Sequence, residues 1–260
     1  MGLYLINLSK DFNEKTKMNS ISQVFVIGDI HGCNSLLKEI HKKIFNKSEK
    51  LIGIKILIYL GDYIDRGSKV KETIDTIINF RPKNFKYVFL RGNHDQMLLD
   101  FINNKQNSLG MWLYNDGAAT LKSYCGSTIV NMLNNRLPRE QSIREILIKS
   151  LPSSHLKFFN DLQFSYIWKD YFFVHAGIDP NRPLDNQREI DMIWTRAPEF
   201  LASDQHFEKI IVHGHTPNEI VEEKSNRINL DTGAVYPELG KLSCMFIDAK
   251  ENRREFFTND

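Results

Sequence analysis

Cysteine is scarce in this chain. Cys33, Cys125 and Cys244 are the only three in 260 residues, odd in number and far apart. That excludes a disulfide framework and points to free thiols in a reducing, cytoplasmic compartment. Long apolar runs are missing too: the longest, around Leu51 to Leu60, is short and carries Lys55, so no membrane span is expected. Leu3 to Leu8 has no basic region before it and no small-residue cleavage site after it, which argues against a signal peptide. Ile6 stands where an N-terminal acylation signal needs Ser or Thr, so no lipid anchor is expected either. An excess of one charge is also absent. The net charge is +2, and Lys and Arg are scattered over helical segments instead of gathered on one stripe, which leaves nucleic acid without a footprint. No internal repeat, low-complexity tract or linker interrupts the chain. What is present, 42% apolar and 25% charged residues, is the composition of a globular protein, and the length suits one domain. We place that domain at residues 23–260, behind a loose polar N-terminal extension, 1–22.

Hydrophobic spacing gives an α/β order. Val24-Phe25-Val26-Ile27 predicts a strand, and Leu36, Leu37, Ile40 and Ile44 predict a helix after it. Ile54 to Leu60 predicts a second strand, Val70, Ile74, Ile77 and Ile78 a second helix, and Tyr87 to Leu90 a third strand. Residues from about 96 to 162 read as a helical cap, with helices over Leu109 to Tyr124, Ser142 to Leu151 and Ser154 to Leu162. The second half turns to short strands: Phe164 to Trp168, Tyr171 to Val174, Lys209 to Val212, Arg227 to Leu230 and Ser243 to Ile247. Two packed sheets with helices outside them follow from this order.

Five loops of one chemical kind each follow an apolar run: Gly28-Asp29-Ile30-His31-Gly32, Gly61-Asp62-Tyr63-Ile64-Asp65-Arg66-Gly67, Arg91-Gly92-Asn93-His94-Asp95, His175-Ala176-Gly177 and His213-Gly214-His215-Thr216. In open sheets ligands gather beyond the carboxyl ends of strands, so these loops can meet. Asp29, His31, Asp62, Asn93, His175 and His215 offer two carboxylates, three imidazoles and an amide oxygen. That set suits two divalent ions of the Mn, Fe or Zn type, with Asp62 the favoured bridge. A two-metal centre suits in-line hydrolysis of phosphate esters. Arg66 and Arg91 stand in the loops as phosphate ligands, while the spacing of Arg196, after a strand-like Ile193-Trp194, leaves it open between that role and a surface ion pair. His94 is the candidate general acid, with Asp65 on its second ring nitrogen. His213 is expected behind His215, and Asp231-Thr232-Gly233-Ala234 as structural support. His41, His155 and His206 are expected at the surface, and the aromatic residues of Trp112 to Tyr124 as core packing beneath the site.

The motifs GDIHG, GDYIDRG, RGNHD, VHAG, HGHTP and DTGA resemble the signature of the PPP-type metallophosphatases from about Gln23 to Ile247. Gly28 to Cys33, Arg91 to Met97, Trp112 to Asn115, Ile193 to Arg196 and Asp231 to Val235 are most similar to the bacterial and phage lambda-type serine/threonine protein phosphatases. The resemblance implies a four-layer αββα sandwich and a dinuclear centre, usually with Mn. It places Asp29, His31 and Asp62 on one ion and Asp62, Asn93, His175 and His215 on the other, His94 with Asp65 as the acid, and Arg66, Arg91 and Arg196 on the phosphate. It also implies phosphoserine or phosphothreonine in proteins as substrate, often with activity on phosphotyrosine; the charge pattern and the short apolar runs leave neither nucleic acid nor membrane as an expected partner. The chain departs from the family's usual Glu at Asp95, a residue shared with the related symmetrical dinucleoside tetraphosphate hydrolases. Asp65, typically Ala in those hydrolases, points back to the phosphatases. Dinucleotide or other small-molecule phosphate hydrolysis is the alternative.

Overall fold

The first strand, β1 (Gln23–Ile27), is apolar on both faces because both are covered. Val24 and Val26 point one way and Phe25 and Ile27 the other, and all four are fully buried. In the computed structural model, which describes residues 22–134 and 140–259, β1 is the middle of five strands. It pairs in parallel with β2 (Lys55–Tyr59), which pairs in parallel with β3 (Phe85–Phe89). A second sheet holds β4 (Ser165–Trp168), β5 (Tyr171–Val174), β6 (Ile210–His213), β7 (Glu222–Glu223) and β8 (Arg227–Asn229), in the order β4-β5-β6-β8-β7. The chain then returns to the first sheet as β9 (Ser243–Asp248), antiparallel to β1 with Phe25 opposite Phe246, and β10 (Arg253–Thr258) forms the edge. The loose extension assigned to the N-terminus lies, apart from Ser22, outside the described residues.

Val24, Val26, Ile56, Ile58 and Val88 share one buried cluster with Phe173, Val212 and Ile228, the core between the sheets. Phe25, Ile27, Leu57 and Tyr59, on the other face, cluster with Leu37, Ile40 and Ile44 of helix Asn34–Ser48 and with Ile74 and Ile77 of helix Val70–Asn79. Outside the second sheet, Phe172, Val174 and Ile211 pack with Met192 and Phe200. Helix, sheet, sheet, helix is the four-layer order expected. Because β1, β2 and β3 run parallel, as do β5, β6 and β8, their carboxyl ends, and the loops read from sequence, emerge at one edge.

Some local expectations are corrected. The cap helix over Leu109 to Tyr124 is two helices, Ser108–Tyr114 and Ala118–Cys125. They break at Asp116, whose φ is 64°, and at Gly117, where any β-carbon would run into the indole of Trp112. Ile193-Trp194 is not a strand end but the last turn of helix Glu189–Trp194, pinned by the Ala176 N–H donating to Met192 O at 2.8 Å; a short apolar run does not by itself tell the two apart. His206 is exposed, as expected, but His41 and His155 are buried. His155 lies 2.8 Å from the Tyr124 hydroxyl and 3.0 Å from Asp75 Oδ1. His41, one turn after Leu37 on the buried face of its lysine-rich helix, stacks on Phe80 and meets the Tyr59 hydroxyl at 2.8 Å.

Burial, helped by the nearby Arg81 charge, pulls the His41 pKa from 6.5 down to about 3. The folded state therefore refuses a proton that the unfolded chain takes up, so this contribution to stability is full above pH 6.5 and is lost as pH falls from there toward 3. The cost is about 1.4 kcal/mol per pH unit inside that window. His41→Gln should flatten the fall of thermal stability between pH 7 and 5. An unchanged slope would show that His41 does not titrate this way.

Candidate metal centre

Asp62 stands just past β2 with left-handed φ (51°), as do His31 (44°), Asp65 (68°), Arg66 (63°) and His215 (67°). Side chains other than glycine, Asn and Asp rarely adopt this region. It turns the loops sharply enough to bring their polar groups back over the strand ends. The Asp62 carboxylate is 1% exposed. Its Oδ1 accepts from the backbone N–H of His94, 3.0 Å away in the first turn of helix Asn93–Ile102, where the helix dipole favours negative charge. Its Oδ2 lies between two imidazoles, 3.4 Å from His31 Nε2 and 3.5 Å from His175 Nε2. Gly92 passes so close to this carboxylate that a β-carbon there would overlap Oδ1.

The tautomers are set from behind. His31 Nδ1 donates to Ile64 O at 2.7 Å and His175 Nδ1 to Leu60 O at 3.1 Å, which leaves each Nε2 with a lone pair facing Asp62. Burial also drives the pKa values of His31, His175 and His215 down, against the pull of Asp62. His175 Nε2 lies 3.1 Å from Asn93 Oδ1 and 3.2 Å from His215 Nδ1. With its proton on Nδ1, His175 Nε2 turns a lone pair toward the Asn93 oxygen, an arrangement that a Lewis acid between them would satisfy. Two ligands bonded to one ion at about 2.1 Å stand about 3.0–3.4 Å apart, close to the spacings here. Two groups of ligand atoms, each within 4.8 Å, emerge among the described residues: His31, Asp62 and His94, and Asp62, His175 and His215. Asp62 joins them, as a bridge would.

Asp29 lies outside both groups. Its Oδ2 accepts from the His215 N–H at 2.9 Å, and its Oδ1 is buried with no partner. Burial, Asp231 and Asp62 together push the Asp29 carboxyl up. Burial works in the same direction at Asp62, but His175 and the other imidazoles hold that carboxyl well below its usual range. Three buried acids in one pocket, with Arg66 and Arg196 the nearby cations, are a charge distribution that added divalent cations would neutralise. The residues therefore fit a pair of such ions. His213 turns away as expected: its Nδ1 lies 3.0 Å from Gly214 O, its ring meets Phe200 edge-on, and Nε2 faces Arg227.

The arginines divide. Arg66 Nη1 donates to His31 Nε2 at 2.7 Å, and Arg196 Nη2 to His215 O at 2.9 Å. The Arg91 guanidinium is engaged by Gln96 Oε1 (3.0 Å) and Leu162 O (3.2 Å) and lies over Phe164. It forms part of the wall of a groove of about 710 Å³ that also takes in Trp194.

His94 Nδ1 is 2.7 Å from Asp65 Oδ2, and both residues are buried. Two residues that sequence reasoning assigned to core or left unremarked hold this carboxylate. Trp112 Nε1 donates to both of its oxygens, at 2.9 and 3.1 Å, and the Thr120 hydroxyl donates to Oδ1 while accepting from the Asp65 N–H. Burial raises the Asp65 pKa and these bonds, with His94 first among them, oppose it. Asp95, also fully buried, accepts from the N–H groups of Gly92 (2.9 Å), Asp62 (2.9 Å) and Tyr63 (3.3 Å). It ties the second loop to the third, away from the surface.

The chain is similar in sequence and in fold to known proteins. The chain is 28% identical to serine/threonine-protein phosphatase 1 of Salmonella typhimurium over 233 residues, which cover 87% of this chain and 94% of the relative. It is 24% identical to the asymmetrical bis(5′-nucleosyl)-tetraphosphatase PrpE of Anoxybacillus flavithermus, covering 84% and 92%. Among solved structures the fold is similar to that of a candidate diadenosine tetraphosphatase (TM-score 0.62, 19% identity, 92% of this chain and 95% of the other). It is also similar to the cold-active protein-tyrosine phosphatase of a psychrophilic Shewanella (TM-score 0.54, 17% identity, 93% and 81%). The sequence profile of the calcineurin-like phosphoesterases matches residues 22–237 and takes in all five loops. With that match and its two-sheet sandwich, the chain belongs to the calcineurin-like phosphoesterase family.

Proposed function

We propose that this metallophosphoesterase is a cytoplasmic serine/threonine protein phosphatase, with phosphotyrosine as a further substrate. It would work with two divalent ions, Mn by preference and Fe or Zn as substitutes, held by Asp29, His31, Asp62, Asn93, His175 and His215. The observation that carries the reading is the buried Asp65 carboxylate on His94 Nδ1, fixed by Trp112 and Thr120. It sets the ring so that Nε2 faces the Asp62 cluster, ready to give a proton to a departing oxygen. An alkoxide such as that of serine or threonine needs this proton. A nucleoside polyphosphate is a better leaving group and needs it less.

Bound ions would supply an acidic water as nucleophile and a Lewis acid for the phosphoryl oxygens. The chain's residues do the rest. Asp62 would compensate the charges of both ions. Arg66 shares its present acceptor, His31 Nε2, with any ion bound there, and once released from it can turn its guanidinium to the phosphoryl oxygens. Arg196, anchored on His215 O, and Arg91, in the groove wall, would add further guanidinium groups to the phosphoryl oxygens.

A second reading, dinucleoside tetraphosphate hydrolysis, is favoured by the similarity to PrpE over 92% of that protein. Asp95 does not speak for it, since its carboxylate is used up on backbone N–H groups away from the surface. Assayed side by side with Mn(II), a phosphoserine or phosphothreonine peptide should show the higher kcat/KM; a clear preference for the dinucleotide would promote the second reading.

Two variants test the roles. Asp62→Asn should lose metal and activity together, because an amide cannot offset two dications; a purified variant that keeps both metals and near-normal turnover would remove Asp62 as the bridge. His94→Asn should retain metal and lose about 10²- to 10⁴-fold in turnover of phosphoserine peptide, with a smaller loss on an activated aryl phosphate. Equal losses on both substrates would leave His94 without an acid role.

A further inference from the structure

Arg66 has two neighbourhoods. Its guanidinium reaches His31 at the metal cluster and lies over Tyr236, 5.6 Å from the ring centroid. The same side chain also forms the inner wall of a cleft of about 380 Å³ between the first turn of helix Val70–Asn79 and the face of helix Ala118–Cys125. Ser68, Lys71, Glu72, Lys122 and Ser123 line the rest of it. Lys71 and Lys122 are exposed, and among the described residues neither ammonium forms an ion pair.

Lysines without an ion pair are common on this surface, and what distinguishes these two is their place: both line the one cleft that Arg66 enters from the metal site. The one carboxylate in the cleft lining, Glu72, is taken by Lys69 at 3.4 Å, and the Asp116 carboxylate, 71% exposed, stands 3.9 Å from Arg66 Nε. Two unpaired lysines thus converge from different helices on a cleft that begins at a guanidinium of the metal site. The larger groove beyond Arg91 has the opposite character: its cations Arg91 and Lys105 are balanced by Asp100 and Glu189, and Met111, Ile190, Phe164 and Trp194 make it apolar.

We infer that the Lys71–Lys122 cleft binds a second anionic group on the substrate, carried by the same polypeptide as the phosphorylated residue, so that acidic segments are selected. The inference rests on the phosphoprotein reading above. The shared chemistry is an oxyanion, either the carboxylates of neighbouring Asp and Glu or a second phosphoryl group. Exposed pairs of this kind are modest and weaken with salt, so selection acts through KM at low ionic strength and leaves the chemical step alone.

The test uses the full chain loaded with Mn(II) and phosphothreonine peptides of one length whose flanking residues are acidic, neutral or lysine-rich, with an aryl phosphate as a substrate that has no flanks. The acidic peptide should be preferred over the neutral one by about 3- to 20-fold in kcat/KM, through KM, and the preference should shrink at high salt. Lys71→Ala with Lys122→Ala should abolish the preference while leaving the neutral peptide and the aryl phosphate unchanged. Lys71→Glu with Lys122→Glu should turn it toward the lysine-rich peptide. A bisphosphorylated peptide preferred over the acidic one would identify the anion as phosphoryl and support the cleft equally. Turnover of all peptides without preference, or a preference that survives both double variants, overturns the inference alone. Hydrolysis of the aryl phosphate with no peptide turned over overturns the phosphoprotein reading and this inference with it.

Discussion

A carboxylate stripped of nearly all its water, Asp62, sits where the two sheets end together. Burying such a charge is expensive unless it is met on every side, and here the partners come from separate parts of the chain. The His94 N–H arrives from the loop after β3, the His31 ring from the loop after β1, and the His175 ring from the second sheet. No single loop satisfies Asp62. The cluster exists only when both parallel triplets are in register and packed face to face on Val24, Val26, Ile56, Ile58, Phe173 and Val212. Fold and site are therefore one problem, since the core between the sheets sets the separation at which the loops meet.

Around this centre several functional groups have a second group that fixes them. Ile64 O and Leu60 O choose the tautomers of His31 and His175, Asp95 binds the Asp62 loop to the Asn93 loop through three backbone N–H groups, and Trp112 with Thr120 holds Asp65. The last pair gives the helical cap a reason beyond covering apolar surface. Its break at Asp116 and Gly117 lets the indole of one helix and the hydroxyl of the next reach the same carboxylate.

The ligand-bearing loops were legible in the sequence because each is a short polar motif ending a strongly apolar run, and parallel strands put such ends on one edge. The sandwich was legible for a related reason: β1 is apolar without alternation, which requires cover on both faces. Other features left no such mark. A Trp at helical spacing reads as core whether or not its N–H meets an acid, so Trp112 looked like packing only. His41 and His155 sit among polar neighbours in sequence, yet their rings face inward and find Tyr59, Tyr124 and Asp75. The edge strand β10 is half charged, Arg-Arg-Glu before Phe-Phe, as suits an edge exposed on one side, and it lacks the apolar run that betrays a central strand. The backbone twist at His31, Asp62, Asp65, Arg66 and His215 has no sequence signature in those residue types as a set.

That twist bears on how the molecule holds together under load. Residues held in the left-handed region cost on the order of 1–3 kcal/mol apiece where the surroundings force them; five crowd one rim here, and His31, Arg66 and His215 are of types that rarely adopt it. The rim is thus a spring kept closed by the core behind it. Any ligand that grips the closed rim binds the folded chain and not the unfolded one, so by mass action its concentration enters the folding equilibrium of the whole molecule. Occupancy of the site and persistence of the fold are, in this architecture, two readings of the same free energy.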